Sequence, residues 1–306
     1  MIPAVLPFPD ISPEIFSIPL FGMEFALRWY ALAYIVGIAL GWLIARTALA
    51  RPQLWKDDRP PMTQPQVEDL LTWIILGVVL GGRLGFVLFY QPDYYLAHPM
   101  EIPMIWQGGM SFHGGFLGVI AATWIWAGRN DVPRLATADL LSLAAPAGIL
   151  LGRIANFING ELWGRPSDAP WAVVFPAQGA LCDGLPCARH PSQLYEAGLE
   201  GLLLGLILLW LAFGHGALKR PGLIAGLFFA GYGIARFIVE FFRLADAQFI
   251  TPENPYGHVL RLTETLGITM GQALSLPMVL IGLLIIAAGR RQWPGAQPGQ
   301  SPRQVQ

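Results

Sequence analysis

Charge is what this chain has least of. Only 13% of its 306 residues are charged and 54% are hydrophobic, whereas about 25% of an average soluble domain is charged. Long uncharged runs recur from end to end, so a helical bundle in lipid is favoured over one or two soluble domains. A formal net charge of −1 leaves no basic footprint for nucleic acid. The only cysteines are Cys182 and Cys187, and neither adjoins a base motif. No HExxH or comparable ligand spacing occurs, so no metal is expected, and no motif calls for a cofactor. The apolar runs contain no Ser–His or paired-Asp arrangement, which argues against an intramembrane protease. No internal repeat is visible, which argues against a secondary transporter built from repeats with broken helices. Residues 1–20 have no basic n-region, and the first span is expected to be retained, not cleaved as a signal peptide.

What is present is a series of apolar runs of roughly 20 residues, the length that crosses about 30 Å of hydrocarbon. Seven spans are expected, at about 25–46, 68–90, 109–128, 136–157, 193–213, 222–243 and 270–289. Basic residues orient them. Arg46, Arg51, Lys56, Arg59, Arg129, Arg134, Lys219, Arg220, Arg290, Arg291 and Arg303 fall on one side. Only Arg165, Arg189, Arg243 and Arg261 fall in the loops of the other. The positive-inside rule then puts the amino terminus outside and the carboxyl terminus in the cytoplasm. The expectation is an all-α polytopic membrane protein with one seven-helix domain over 1–292. An outer segment spans 158–192, and a disordered cytoplasmic tail rich in Pro, Gln and Gly spans 293–306. Both cysteines lie in that outer segment, where an oxidising exterior would permit a disulfide; two free thiols are the alternative.

Four arginines interrupt apolar stretches: Arg28, Arg83, Arg153 and Arg236. A charge in the bilayer costs roughly 2.5–3.5 kcal/mol on insertion scales, so it is rarely there without a task. Threaded through a membrane, all four fall in the outward half. The run Gly152–Gly164 places Arg153 and Asn156 on one helical face, followed by Asn159, Glu161 and Gly164. Arginine can grip phosphate with two parallel hydrogen bonds, and a snorkelling helix-end arginine would not call for this polar company. In Gly231–Arg243, the residues Arg236, Glu240 and Arg243 recur at i, i+4 and i+7. This Arg-Glu-Arg row is either an anion site or a self-neutralised ion pair. His113 sits in a glycine frame, Gly108–Gly115, and histidine is the default general base near neutrality; a hydrogen-bonded structural histidine is the bland alternative. Gln193, Glu196 and Glu200 share one face of the fifth span, as a polar stripe or a capped helix start. Tyr30, beside Arg28 and Trp29, is a pocket residue or an interfacial anchor. Arg83 stands among Gly81, Gly82 and Gly85, a pattern that suits either ligand binding or close helix packing.

The run Gly152–Gly164 resembles the signature of the phosphatidylglycerol–prolipoprotein diacylglyceryl transferase family of the bacterial plasma membrane. The blocks around Trp29-Tyr30, Gly81–Tyr90, Gly109–Gly115, His190–Glu196 and Arg236–Arg243 are similar to others of that family, in the same order. The resemblance implies a transferase of lipoprotein biosynthesis. It would move diacylglycerol from phosphatidylglycerol to the lipobox cysteine of a prolipoprotein signal peptide, releasing glycerol 1-phosphate. It also implies a seven-helix body in the inner membrane with a small periplasmic head. Arg153 and Arg236 would contact phosphate, with His113 as the base. Tyr30, Asn156, Glu161 and Gly164 would shape the headgroup pocket and Glu240 would orient Arg236. Arg83, Asn159, Gln193, Glu196 and Arg243 complete the expected substrate-binding set. The partners would be phosphatidylglycerol, the prolipoprotein and surrounding membrane lipid.

Overall fold

A computed structural model describes residues 5–20, 23–263 and 266–291; the expected tail at 293–306 lies outside them. Helix α1 spans Trp29–Leu49, α2 Gln64–Phe89, the short α3 Pro92–Ala97, α4 Phe112–Arg129 and α5 Arg134–Ile158. Then come α6 (Ser192–Glu196), a π-helical stretch Ala197–Leu203, α7 (Leu204–Gly214), α8 (Leu223–Val239) and α9 (Met270–Arg291). Among the described residues, five helical segments are long and apolar enough to cross a bilayer: Trp29–Leu49, Gln64–Phe89, Arg134–Ile158, Ser192–Gly214 and Met270–Arg290. The protein is thus a mostly helical, polytopic membrane protein. Helix α8 is shorter at 17 residues, and α4 has 18.

Several expectations need correction. The chain is not purely helical. A three-stranded sheet joins Leu6–Pro7, Val173–Val174 and Ala188–Arg189. A hairpin pairs Glu14–Leu20 with Met23–Arg28, and another pairs His258–Arg261 with Gly267–Thr269. The first helix therefore starts at Trp29, because residues 23–28 are bonded to strand 14–20. Arg28 is the residue before that helix, exposed and paired with Glu14 at 3.1 Å. It is not a charge inside a span. Helix α8 ends at Val239, so Arg243 is carried on a turn beyond it.

Glycine sets how the long helices meet. Gly77, Gly81 and Gly85 of α2 face Gly114 and Gly118 of α4 so closely that an added Cβ would collide with the partner backbone. Gly226 of α8 meets Gly282 of α9 in the same manner, and Gly37 of α1 lies in tight contact with Gly148 of α5, where a Cβ would stand 3.1 Å from the partner Cα. Lipid supplies no hydrophobic force between helices, so close backbone approach is what makes these contacts favourable. Asp139 of α5 is fully buried and accepts from the backbone N–H of Gly222 (2.7 Å) and Ala225 (2.8 Å). A carboxylate from one helix thereby caps the first turn of another.

Apolar and polar interiors occupy opposite ends. The main apolar core, with Ala48, Trp55, Leu70, Trp126, Leu140, Leu208 and Ile224, lies toward the end rich in basic residues. There Arg46 stacks on Trp42, Arg129 on Trp73 and Arg134 on Trp124. At the other end, residues 159–191 fold over the helix tips. Phe8, Phe157, Trp163 and Phe175 pack beneath this cap, and a Cys182–Cys187 disulfide (Cα–Cα 5.7 Å) closes its turn.

Gly118→Leu should lower the thermal unfolding midpoint in detergent, because overpacking typically costs about 1–3 kcal/mol. Gly148→Ala, whose added Cβ has open space, should not. Equal midpoints would refute the close-packing account.

Candidate functional site

The polar end is organised around one carboxylate. Glu196, the last residue of α6, is fully buried. Its Oε1 accepts from Arg236 Nη1 and from Arg243 Nη1, each at 2.9 Å, and its Oε2 lies 3.1 Å from Arg153 Nε. Three guanidinium groups, from α5, α8 and the turn after α8, converge on it. Arg236 extends its other arm, Nη2, to Glu240 at 2.8 Å. Glu240 is buried and accepts from Thr269 Oγ1 at 3.0 Å. Gly271, at the start of α9, has no side chain because Glu240 fills the space one would need. Glu200, one turn below Glu196, is also fully buried. Tyr232 faces both Arg153 and Glu200.

Burial decides what a visitor meets. The carboxylate of Glu196 is 0% exposed, whereas the side chains of Arg153, Arg236 and Arg243 are 22%, 17% and 17% exposed. An approaching anion therefore meets the guanidinium edges, with the carboxyl groups of Glu196 and Glu240 behind them. A partly dehydrated arginine set is a strong anion receptor.

A second group sits above the first. Asn156 Nδ2 donates to Glu161 Oε1 at 2.7 Å and approaches the Tyr30 hydroxyl at 3.5 Å. Asn159 Nδ2 reaches the same oxygen at 3.4 Å. Gln193 is buried and donates to the Glu161 carbonyl, while its own amide oxygen has no donor among the described residues. Gly160 takes φ +63°, a value that suits glycine, at the turn leading from Asn156 to Glu161. Tyr30, Asn156, Asn159, Glu161 and Gln193 thus form one hydrogen-bonded cluster drawn from α1, α5, the outer loop and α6.

Other expected residues lie elsewhere. Gly164 is buried at a backbone crossing: its N–H donates to the His190 carbonyl at 2.8 Å, and it bridges to Arg243. It pins the loop to the end of α8. Arg83 is buried and spends its donors on the carbonyls of Ile102 (2.6 Å), Glu101 (2.7 Å), Gly108 (2.7 Å) and Gly109 (3.2 Å). Four of its five N–H donors are thus engaged by the 101–109 segment, and it does not join the arginine cluster. His113 is exposed on the first turn of α4, its ring edge-on to Phe112 at 5.6 Å. No hydrogen bond or ion pair links it to the arginines among the described residues.

Sequence reasoning passed over Thr269, Gly271 and Tyr232. Tyr232 was legible, lying four residues before Arg236 on the same helical face. Thr269 and Gly271 are distant in sequence from Glu240 and carry no local signal. The loop is also fixed by Arg165, whose Nε donates to the Arg243 carbonyl at 2.9 Å, and by buried Arg189, which donates to Ala180 (2.7 Å) and Gly164 (3.2 Å). Burial pushes the His190 imidazole below its ordinary value, with Asp168 opposing in part.

Comparison with known proteins bears on what such a site serves. A family profile described as prolipoprotein diacylglyceryl transferase matches residues 15–288. Proteins named phosphatidylglycerol–prolipoprotein diacylglyceryl transferase are similar along nearly their whole length. The one from Ruegeria pomeroyi is 64% identical over 94% of this chain and 98% of its own. The one from Roseobacter denitrificans is 62% identical over the same shares. That from Rhizobium meliloti is 48% identical over 94% and 95%.

Glu196→Gln should leave three guanidiniums around a neutral amide. Breaking a buried charge set by removing one partner costs about 3–5 kcal/mol, read as a large drop in the unfolding midpoint in detergent. An unchanged midpoint would show that the arginines do not depend on Glu196.

Proposed function

The chain belongs to the prolipoprotein diacylglyceryl transferase family, and we propose that its arginine cluster is the phosphate site of that reaction. The protein transfers the diacylglyceryl group of phosphatidylglycerol to a prolipoprotein cysteine. The observation that carries the site assignment is the convergence of Arg153, Arg236 and Arg243 on buried Glu196. Held in this way, the guanidiniums keep an open face toward a lipid phosphodiester.

The chemistry needs little else from this chain. The thiol sulfur of the lipobox cysteine attacks the glyceryl carbon that bears the phosphate oxygen. A C–S bond forms, that C–O bond breaks, and glycerol 1-phosphate leaves with the bonding pair. Negative charge grows on the departing oxygen, where prearranged cations in a dry site stabilise it most. A free thiol has a pKa of about 8.5, so the thiolate must be favoured by a base or by positive charge. His113 is the proposed proton acceptor, and its exposure on the first turn of α4 suits a partner that arrives with the substrate. Tyr30, Asn156, Asn159, Glu161 and Gln193 line the headgroup side, and Glu240 orients Arg236. Gly164 and Arg83 enter the reading as residues that fix the loops around the site.

We read the body as one domain of seven spans over 1–292, with a periplasmic head made by 158–192. Helices of 17 and 18 residues rise about 26–27 Å at 1.5 Å per residue, close to the hydrocarbon thickness, and the turn after α8 extends it. The amino terminus is assigned to the periplasm and the carboxyl terminus to the cytoplasm of the inner membrane. This orientation rests on the basic residues stacked on tryptophans at one end and the disulfide at the other.

Reconstitution with phosphatidylglycerol and a lipobox peptide should add one diacylglyceryl mass to the cysteine. Arg236→Ala or Arg153→Ala should lower that rate about 100-fold or more, the usual effect of losing one charge-stabilising donor; near-normal transfer by a correctly inserted variant would refute the assignment. His113→Asn should flatten the acidic limb of the pH–rate profile, and an unaltered profile would remove it as the base.

A further inference from the structure

Between the outer ends of α6 and α8, next to the arginine cluster, lies a groove of about 370 Å³ lined by Tyr195, Gly198, Leu199, Ile238, Val239 and Phe242. We propose that this groove takes one acyl chain of the phospholipid substrate while the phosphate of the same molecule rests on the arginines. The inference builds on the transferase reading above.

Position is the first argument. Tyr195, Val239 and Phe242 line the groove; their chain neighbours Glu196, Glu240 and Arg243 belong to the cluster. The same helix turns thus present charge on one side and hydrocarbon on the other. The two lie within one helix width, about 10 Å, a separation that a single phospholipid spans.

Polarity along the groove is the second. Its walls are apolar except for the Tyr195 hydroxyl, which accepts from Trp171 Nε1 at 2.7 Å and lies 3.0 Å from His190 Nδ1. An apolar trough whose one hydroxyl is already engaged elsewhere matches hydrocarbon. Water would lack the two to four polar partners it needs there. A helical signal peptide, about 10 Å across with its side chains, is too wide for this volume, whereas a single hydrocarbon chain is not.

Gly198 is the third. A Cβ built on it meets nothing within 4 Å, and its backbone is helical. A side chain there would start into open space beside the groove. A lipid chain gains no hydrophobic energy on leaving the bilayer for a groove, so the site acts by shape. Filling it should exclude long chains and spare short ones.

The test measures transfer to a lipobox peptide in mixed micelles, with dioleoyl or dihexanoyl phosphatidylglycerol as donor. Gly198→Leu should raise KM for the dioleoyl lipid about tenfold, the scale of an overpacked contact, with kcat and the dihexanoyl KM nearly unchanged. If Gly198→Leu unfolds, Ile238→Trp fills the trough from the opposite wall, where the side chain is already 45% exposed. A folded variant with wild-type KM for both lipids overturns the inference while leaving the transferase reading intact. So does the loss of a copurified lipid with unchanged kinetics, which would mark the occupant as a resident lipid and not the substrate. Wild-type protein inactive on both donors would instead sink the transferase reading.

Discussion

One buried carboxylate draws together charges that would otherwise repel. Glu196 is held from three directions by guanidinium groups at 2.9–3.1 Å, with no exposure of its own. Each arginine alone would be costly at this depth, and three together would repel. With Glu196 between them they stand together, each side chain still partly exposed. Glu240 repeats the device on a smaller scale, anchored by Thr269 and admitted by the missing side chain of Gly271.

The rest of the structure serves that convergence. Arg153, Glu196 and Arg236 ride on separate helices, so their separation depends on how closely α5, α6 and α8 pack. Gly201, in the π-helical stretch that continues α6, sits hard against the Leu150 backbone of α5, and the Asp139 cap ties α5 to the start of α8, which fixes those distances. The outer cap then closes over the helix tips through Gly164, Arg165 and Arg189. Polar contacts cluster at one end of the bundle and the main apolar core at the other. This division suits the proposed reaction, in which a charged group handles a lipid headgroup on a body that hydrocarbon can surround.

Two expectations show where local pattern misleads. Arg83, surrounded by glycine in an apolar helix, has the same signature as a ligand-binding arginine. Its donors instead satisfy four carbonyls of a loop that follows it by about twenty residues. Arg28 looked buried in an apolar run, but the residues before it form a hairpin that keeps it at the surface. In both cases hydropathy records that an arginine interrupts apolar sequence, and it does not record which backbone will meet it.

The amino-acid sequence by itself determined the membrane class, the approximate place of every long helix, the side carrying the basic residues, and the faces on which Arg153, Asn156, Arg236 and Glu240 lie. Those follow from composition and from a 3.6-residue period, both local properties of the chain. Only the tertiary structure decided that Glu196, and not a ligand, gathers the three arginines. It also decided that Thr269 supports Glu240, that Cys182 and Cys187 are joined, and that Gly198 opens onto a groove. Most of these pairings join residues 29 to 47 positions apart. At such separations no periodicity links the partners. Which carboxylate meets which guanidinium is settled by how closely the helices approach and by the cost of leaving any buried charge alone.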